Sequence, residues 1–224
     1  MPPANAIPLH HLDDTASTNA DARAMIAQAQ GPFWVIARTQ SAGRGRDGRS
    51  WASPPGGLWV TLAWPLASCP PDVLDGLGLR IGVALCRAIA RFAPDARLKW
   101  PNDILIKGAK VAGVLTEVVD GWIVIGCGVN VANDPPPLPP PAAATSLKQH
   151  TATPPAPEAV RAAIEPQLID ALSRAGVDQD LPVARELLWG VGEECLLHDP
   201  TGNPAGDRRA VLVGLADDGS AIYR

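Results

Sequence analysis

The sequence predicts an α+β fold, with helices packed against a β-sheet and a small all-β segment at the C-terminal end. Three observations carry this prediction. Leu74, Leu77, Ile81, Leu85, Ala88, Ile89 and Phe92 repeat at helical spacing between two β-like runs, so one helix face should pack on a sheet. Residues 98–125 form a strand-rich block in which Asp120-Gly121 is a strong hairpin signal. From Gly190 the texture changes to short β-like pieces, Glu194–His198, Arg209–Leu215 and Ala221–Tyr223, separated by Asp-Pro-Thr-Gly and Asp-Asp-Gly turns.

Each element follows from its residues. Ile7–Leu12 reads as a first strand. Thr18 with Asp21 makes a capping box for a helix from about Asn19 to Gln30, which Gly31-Pro32 ends. Strands are expected at Phe33–Ala37 and Leu58–Trp64, and Pro70-Pro71-Asp72 starts the long helix. Leu98-Lys99-Trp100, Ile104–Ile106, Val111–Val119 and Trp122–Ile125 supply further strands, with a turn at Lys107–Lys110. Asn133–Pro141 holds six prolines and should be an extended or mobile loop. Val160, Ile164, Leu168, Ile169 and Leu172 mark a helix kinked at Pro166, and a short helix follows near Val183–Trp189. The expected division is a main domain over 1–188 and a small domain over 189–224, the latter too short to hold much core alone.

Composition narrows the function. A chain of 224 residues with 46% hydrophobic content can bury a sizeable core. A net charge of −4 makes it a poor general nucleic-acid binder, so clustered arginines should serve one site. Cys69, Cys86, Cys127 and Cys195 show no zinc-like spacing and read as buried small hydrophobes in a reducing compartment. The sequence holds no apolar run of membrane-spanning length, and Met1-Pro2-Pro3-Ala4 lacks the features of a signal peptide. A cytoplasmic protein with no membrane partner is expected.

The most informative stretch is Gly43-Arg44-Gly45-Arg46-Asp47-Gly48-Arg49-Ser50-Trp51, with three arginines, three glycines and a tryptophan in nine residues. Glycine admits close backbone approach to a ligand. Arginine offers a planar fork for carboxylate or phosphate, and Trp51 a face for a ring. Its G-x-G-x-x-G spacing imitates a dinucleotide fingerprint. No helix opens after it, because Ser50-Trp51-Ala52-Ser53-Pro54-Pro55 is loop chemistry. Kinase and P-loop motifs are absent from the sequence. An Arg/Gly-rich disordered RNA binder is disfavoured by the strand-like segments that flank the run.

Further polar features lie along the chain. Ser17-Thr18-Asn19 sits at a helix N-terminus, where plain capping is the simplest role. Lys99 lies in Lys-Trp-Pro-Asn-Asp, and Lys110 precedes a buried-looking strand; either could be a solvated surface charge. Gly126-Cys127-Gly128-Val129-Asn130 ends a strand with a close-approach surface or an ordinary bulge. Taken in order, Gly43–Trp51, Lys99–Ile104, Lys110–Glu117 and Gly126–Asn130 resemble the biotin protein ligases, most strongly over residues 15–130.

The resemblance implies a mixed β-sheet with helices against it, of the class II synthetase-like biotin/lipoyl ligase type, and a small C-terminal SH3-like β-barrel. It implies ATP and Mg2+ as cofactors and biotin as substrate. Biotin and ATP would form biotinyl-5′-AMP and pyrophosphate, and a lysine of a biotin carboxyl carrier domain, of acetyl-CoA carboxylase or another carboxylase, would then attack. By resemblance, Arg46 and Lys99 face the biotin carboxylate and α-phosphate as the catalytic cations. Ser17, Thr18, Asn19, Gln40, Gly43, Arg44, Gly45, Trp51 and Gly113 belong to the biotin site. Arg49, Asn102, Lys110 and Asn130, with Arg46, Trp51 and Lys99, belong to the ATP site. No acyl-enzyme nucleophile is assigned.

The catalytic pattern begins near Met1, so no winged-helix module and no nucleic-acid partner are expected. Sheet-edge pairing offers a route to a homodimer. Asp47, Gly57-Leu58-Trp59 and the short C-terminal segment depart from the family pattern. A lipoate protein ligase and a non-catalytic biotin- or carrier-binding module are the rival readings.

Overall fold

The computed structural model describes residues 7–140, 142–197 and 206–224. Strands β1 (Leu9–Thr15), β2 (Phe33–Gln40), β3 (Leu58–Pro65), β4 (Ala96–Lys99), β5 (Asp103–Ile106), β6 (Ala109–Val119) and β7 (Trp122–Val129) form one seven-stranded sheet in the order β1-β2-β3-β7-β6-β5-β4. Only β1 and β2 run parallel; the other neighbours are antiparallel, so the sheet is mixed. Helix α1 (Thr18–Met25) connects the parallel pair, as two parallel neighbours require a crossover.

The two faces of this sheet have different tasks. Trp34, Val60, Leu62, Ile123, Ile125, Cys127 and Val129 pack in the main core with α2 (Leu77–Ala90), α3 (Pro157–Leu172) and α4 (Leu181–Leu187). The residues between them point to the opposite face. There, Phe33, Val35, Ala63 and Val124 meet Ala22 and Ile26 in a smaller core under α1. Farther along the same face the strands change character to Trp59, Thr61, Gly113, Gly126 and Gly128. The registers Thr61↔Gly126, Trp59↔Gly128 and Gly113↔Gly128 bring these positions side by side.

Both hairpin turns have the expected chemistry. Asp120 and Gly121 carry φ of 49° and 77°, and Lys107 and Gly108 carry 51° and 81°. Paired positive φ values match the twist of the strands they join. The dinucleotide-type helix is absent, as the loop chemistry foretold: after β2 come a three-residue 3-10 turn at Arg46–Gly48 and irregular chain.

Several element boundaries differ from expectation. The Thr18–Asp21 capping box does not form. Ser17 is the N-cap and makes no side-chain capping bond, while Gln40 Oε1 accepts the Thr18 N–H at 2.9 Å. The first helix is correspondingly short, ending in a 3-10 turn at Ile26–Gln28. The second helix starts at Leu77 rather than near Pro70. Asp72 (φ 61°) and Gly76 (φ 60°) take left-handed conformations that a helix cannot include, and Leu74 is left exposed. Helix α3 runs through Pro166 as one element, and α4 ends two residues before Trp189. Cys86 and Cys127 are buried, but Cys69 and Cys195 are only half-buried, and all four are free.

A second sheet, β8 (Glu194–Leu197), β9 (Arg208–Leu215) and β10 (Ala221–Tyr223), is antiparallel in the order β10-β9-β8. The Asp-Pro-Thr-Gly turn and His198 lie outside the described residues. Leu212 and Leu215 enter the main core. Trp100 Nε1 donates to Gly219 O at 3.0 Å, and Arg185 reaches Leu215 O and Asp217. No helix among the described residues is long and apolar enough to cross a membrane.

Candidate functional site

The glycine end of the sheet forms a floor, and the Gly43–Trp51 loop covers it. The loop is a narrow hairpin: Trp51 N–H donates to Gly43 O at 2.8 Å, Gly45 N–H donates to Arg49 O at 2.7 Å, and Arg44 bridges Ser50. Its base is tight, because a Cβ on Gly43 would lie 2.4 Å from Trp51 O and 2.8 Å from Ser53 Oγ. The hairpin delivers Trp51 onto the floor. A Cβ on Gly128 would come within 2.7 Å of the indole, and one on Gly113 within 3.2 Å. Lys110 Nζ stands 4.9 Å from the centroid of the same ring and pairs with Asp103 at 2.7 Å. The buried Trp51 Nε1 has no partner among the described residues.

Beside Trp51 lies a polar pocket built from three elements. Gln40, at the end of β2, accepts from Thr18 through Oε1 and donates through Nε2 to Ser53 Oγ at 2.7 Å. Thr61 Oγ1 on β3 lies 2.8 Å from Thr18 Oγ1 and 2.7 Å from Asn19 Oδ1. Asn19 Nδ2 donates to Glu117 Oε2 at 2.8 Å, and Arg23 pairs with Glu117 at 3.0 Å. Gly126 makes room for this, since a Cβ there would meet Asn19 Oδ1 at 2.1 Å. Ser17, Thr18, Asn19, Ser53 and Thr61 are all buried.

The expected site residues therefore divide into groups. Thr18, Asn19, Gln40 and Gly43 come together in the polar pocket, with Ser17 next in the chain. Trp51, Gly113 and Lys110 meet on the floor. Arg44, Arg46, Arg49 and Lys99 are exposed, and none forms an ion pair among the described residues; Lys99 sits opposite Asp103 in the β4–β5 pair. Gly45 serves the hairpin itself. Asn102 is a latch, its Nδ2 donating to Val114 O at 2.6 Å while its carbonyl accepts Val114 N–H at 3.0 Å. Asn130 is 4% exposed, and its amide oxygen accepts from Asn133 at 2.9 Å, so its side chain serves the following loop.

Sequence reasoning passed over Thr61, Ser53, Glu117 and Arg23. A signal existed for two of them: Thr61 is the one polar residue in Leu58–Trp64, and Glu117 interrupts an apolar strand. Cys127 lies on the core face of β7, between the two floor glycines, and burial pushes its thiol up to about 12, away from the thiolate form. Surface cavities of ≈ 440 Å³ (His11, Arg38, Glu158) and ≈ 350 Å³ (Asp95, Lys107, His150) lie elsewhere and contain none of these groups. The arrangement suits a small ligand with a neutral polar ring in the pocket and an anionic end among the arginines and Lys99.

Comparison with known proteins gives a consistent set of likenesses. A model of the biotin/lipoate A/B protein ligase family matches residues 11–130. The biotin--[acetyl-CoA-carboxylase] ligase of Paracoccus denitrificans is 39% identical over 135 residues, 55% of this chain and 55% of that protein. The enzyme of the same name from Mycobacterium tuberculosis is 38% identical over 128 residues, 54% of this chain and 48% of that one. The matches thus span about half the length of these curated relatives. The biotin protein ligase of Aquifex aeolicus, solved in complex with biotin and ATP, superposes with a TM-score of 0.82 at 26% identity, over 96% of this chain and 91% of that one. The Leishmania major enzyme, solved with biotinyl-5-AMP, gives 0.75 at 26% identity, over 100% and 99%.

Proposed function

This chain belongs to the biotin/lipoate A/B protein ligase family, and we propose that it attaches biotin to a lysine of a carrier domain through biotinyl-5′-AMP, consuming ATP and releasing pyrophosphate. The observation that carries this reading is the largely buried polar pocket of Thr18, Asn19, Gln40 and Thr61 beside a hairpin whose exposed arginines form no ion pair among the described residues. A ligand with a neutral ring and an ionised tail needs both. The relatives' names and their biotin, ATP and biotinyl-AMP complexes support the same choice.

The chemistry joins two anions, a carboxylate and a triphosphate, so their repulsion must be cancelled before the bond can form. Arg46 and Lys99 are the groups for the carboxylate and the α-phosphate, with Arg44 and Arg49 adding charge from the same hairpin. Trp51 and the glycine floor position the acid, and Ser17, Thr18 and Gln40 engage its ring. The remaining candidates, Lys110, Asn102 and Asn130, act by shaping the nucleotide side: Lys110 through Trp51 and Asp103, Asn102 and Asn130 through the strands and loop that they fasten. Mg2+ brought with ATP would supply further charge neutralisation beside Arg46 and Lys99; among the described residues no cluster of His, Cys, Asp or Glu would hold it without the nucleotide. No protein nucleophile is needed, because the adenylate is itself the activated acyl group, and catalysis rests on positioning.

The carrier in this reading is the biotin carboxyl carrier domain of acetyl-CoA carboxylase or a related carboxylase, in the reducing cytoplasm that suits four free thiols. The edge of β4 is occupied by Leu188, which bridges Leu98, so β1 is the edge for pairing with a second copy.

The test is pyrophosphate release from ATP with biotin, lipoate or no acid, in wild type and Lys99→Ala. Release with biotin alone, lost in the variant, is expected. Release with lipoate alone would move the assignment to the other branch of the family, and biotin binding without release under any condition would leave a binding module.

A further inference from the structure

Residues 53–57 run as a strap from the polar pocket to the loop that follows Asn130. At one end Ser53 is held by Gln40, whose backbone N–H donates to Ser53 O at 3.1 Å and whose Nε2 donates to Ser53 Oγ at 2.7 Å. At the other end Gly56 O accepts the Ala132 N–H at 2.8 Å, and a Cβ on Gly56 would lie 3.2 Å from Asn133 N. Asn133 continues the line, donating through Nδ2 to Asn130 Oδ1 at 2.9 Å. Between its ends the strap is pinned by Trp59. The indole Nε1 donates to Pro54 O at 3.0 Å, and a Cβ on Gly57 would overlap Cζ2 and Cη2 of the same ring. Trp59 is 0% exposed and stands in one row with Gly128 and Gly113, the two glycines under Trp51. Its ring is therefore out of a ligand's reach, and whatever it does for one passes through the strap.

We propose that Trp59 and Gly57 are a matched pair of positioning residues for the nucleotide half of the site, fixing the strap and, through Gly56 and Ala132, the loop around Asn130. This rests on the biotin and ATP reading, in which Asn130 belongs to the nucleotide side. The match is steric and polar at once. The indole fits against the strap because residue 57 has no side chain, and the strap is held there because the indole N–H finds Pro54 O. The groups proposed for the biotin ring stand at the Ser53 end, which Gln40 fastens by two bonds of its own. Releasing the middle of the strap should therefore disturb the nucleotide end and spare the acid end. Small displacements of positioned groups cost rate steeply, so the loss falls on the ATP-dependent step.

The experiment compares wild type, Trp59→Phe, Gly57→Ala and the double variant. Biotin affinity is read by calorimetry, and kcat/KM for ATP by pyrophosphate release at saturating biotin. Trp59→Phe keeps a buried ring but loses the N–H and the outer ring atoms, while Gly57→Ala places a methyl group against those atoms. Each single variant should lower kcat/KM for ATP by about 10-fold and leave biotin affinity within about twofold. In the double variant the methyl enters the space that the smaller ring vacates. Its kcat/KM should stay within about threefold of Trp59→Phe alone, where independent sites would multiply to a loss of about 100-fold. Equal losses of biotin affinity and of kcat/KM for ATP would reduce the pair to core packing and overturn the assignment. An unchanged kcat/KM in Trp59→Phe, or multiplying losses in the double variant, would overturn it as well. A wild type that releases no pyrophosphate with biotin would overturn the functional reading along with it, whereas an active wild type with any of these variant results would overturn only the role of Trp59 and Gly57.

Discussion

Gly128 illustrates how little room the site leaves at the scale of one residue. A methyl group there would sit 2.7 Å from the Trp51 indole, so the ring must move, and Lys110 with it. Gly128→Ala should lower biotin-dependent pyrophosphate exchange by roughly 100-fold, since displacement of about 1 Å costs that much in positional catalysis. Chemical denaturation should show little change in stability. The buried thiols provide a second residue-level prediction. Cys86 and Cys127 are pushed up to about 12 by burial, so raising the pH from 7 to 9 leaves both protonated. A thiol-reactive dye should leave at least these two unlabelled in the native protein at pH 8, and label them on unfolding. Much of the candidate site was legible at this scale. The Gly/Arg run and Lys99–Asp103 stood out because their residue types are costly unless used. Thr61 and Glu117 did not, because their partners lie 42 and 98 positions away in the chain and only the sheet brings them together.

Among elements, the start of α2 is where periodicity failed. Leu74 continues the helical spacing, yet the chain from Asp72 to Gly76 folds back as a loop. The cause is Arg80, buried at 0% exposure, whose guanidinium donates to the carbonyls of Val73, Ala171 and Arg174. Asp180, 2% exposed, lies 3.6 Å from Arg80 Nε and takes both Nη groups of Arg174. Burial lowers the Arg80 pKa, and Asp180 opposes that shift. This cluster ties the α2 approach, the end of α3 and the start of α4 into one unit. A hydrophobic-pattern reading cannot find it, because an arginine in an apolar helix is ordinarily assigned to the surface. Removing one partner leaves an uncompensated buried charge. Asp180→Ala should therefore destabilise the fold by about 3–5 kcal/mol in urea denaturation. The hairpins β5–β6 and β6–β7, by contrast, were readable from Lys107-Gly108 and Asp120-Gly121, since paired positive φ values demand such residues.

For the whole molecule, the question is how the small C-terminal sheet is held. Its β9–β10 turn docks through Gly219 O on Trp100, the residue after Lys99, so the turn that follows the lysine proposed as a catalytic cation also anchors the second sheet. Trp100→Phe keeps most of the ring and loses the bond. It should reduce stability by about 1 kcal/mol and increase proteolytic cleavage within 190–224, read by mass spectrometry of timed digests. The change of texture at Gly190 announced a second unit in the sequence, but not its attachment, which depends on Leu212 and Leu215 in the main core, on one indole N–H and on Arg185. The mixed sheet is a property of the same scale. Strands and helices were predictable individually, whereas the placement of β7 between β3 and β6 is a choice of topology that local spacing does not encode.

That central placement gives β7 an unusual status. From Ile123 to Val129, alternate residues fill the main core on one side, while Gly126 and Gly128 hold space open on the other. The strand is thus subject to two opposite constraints in strict alternation, one set of positions intolerant of any loss of bulk and the other of any gain. Drift through this segment is blocked in both directions, and it should change more slowly over evolutionary time than either the core or the Gly43–Trp51 loop taken alone.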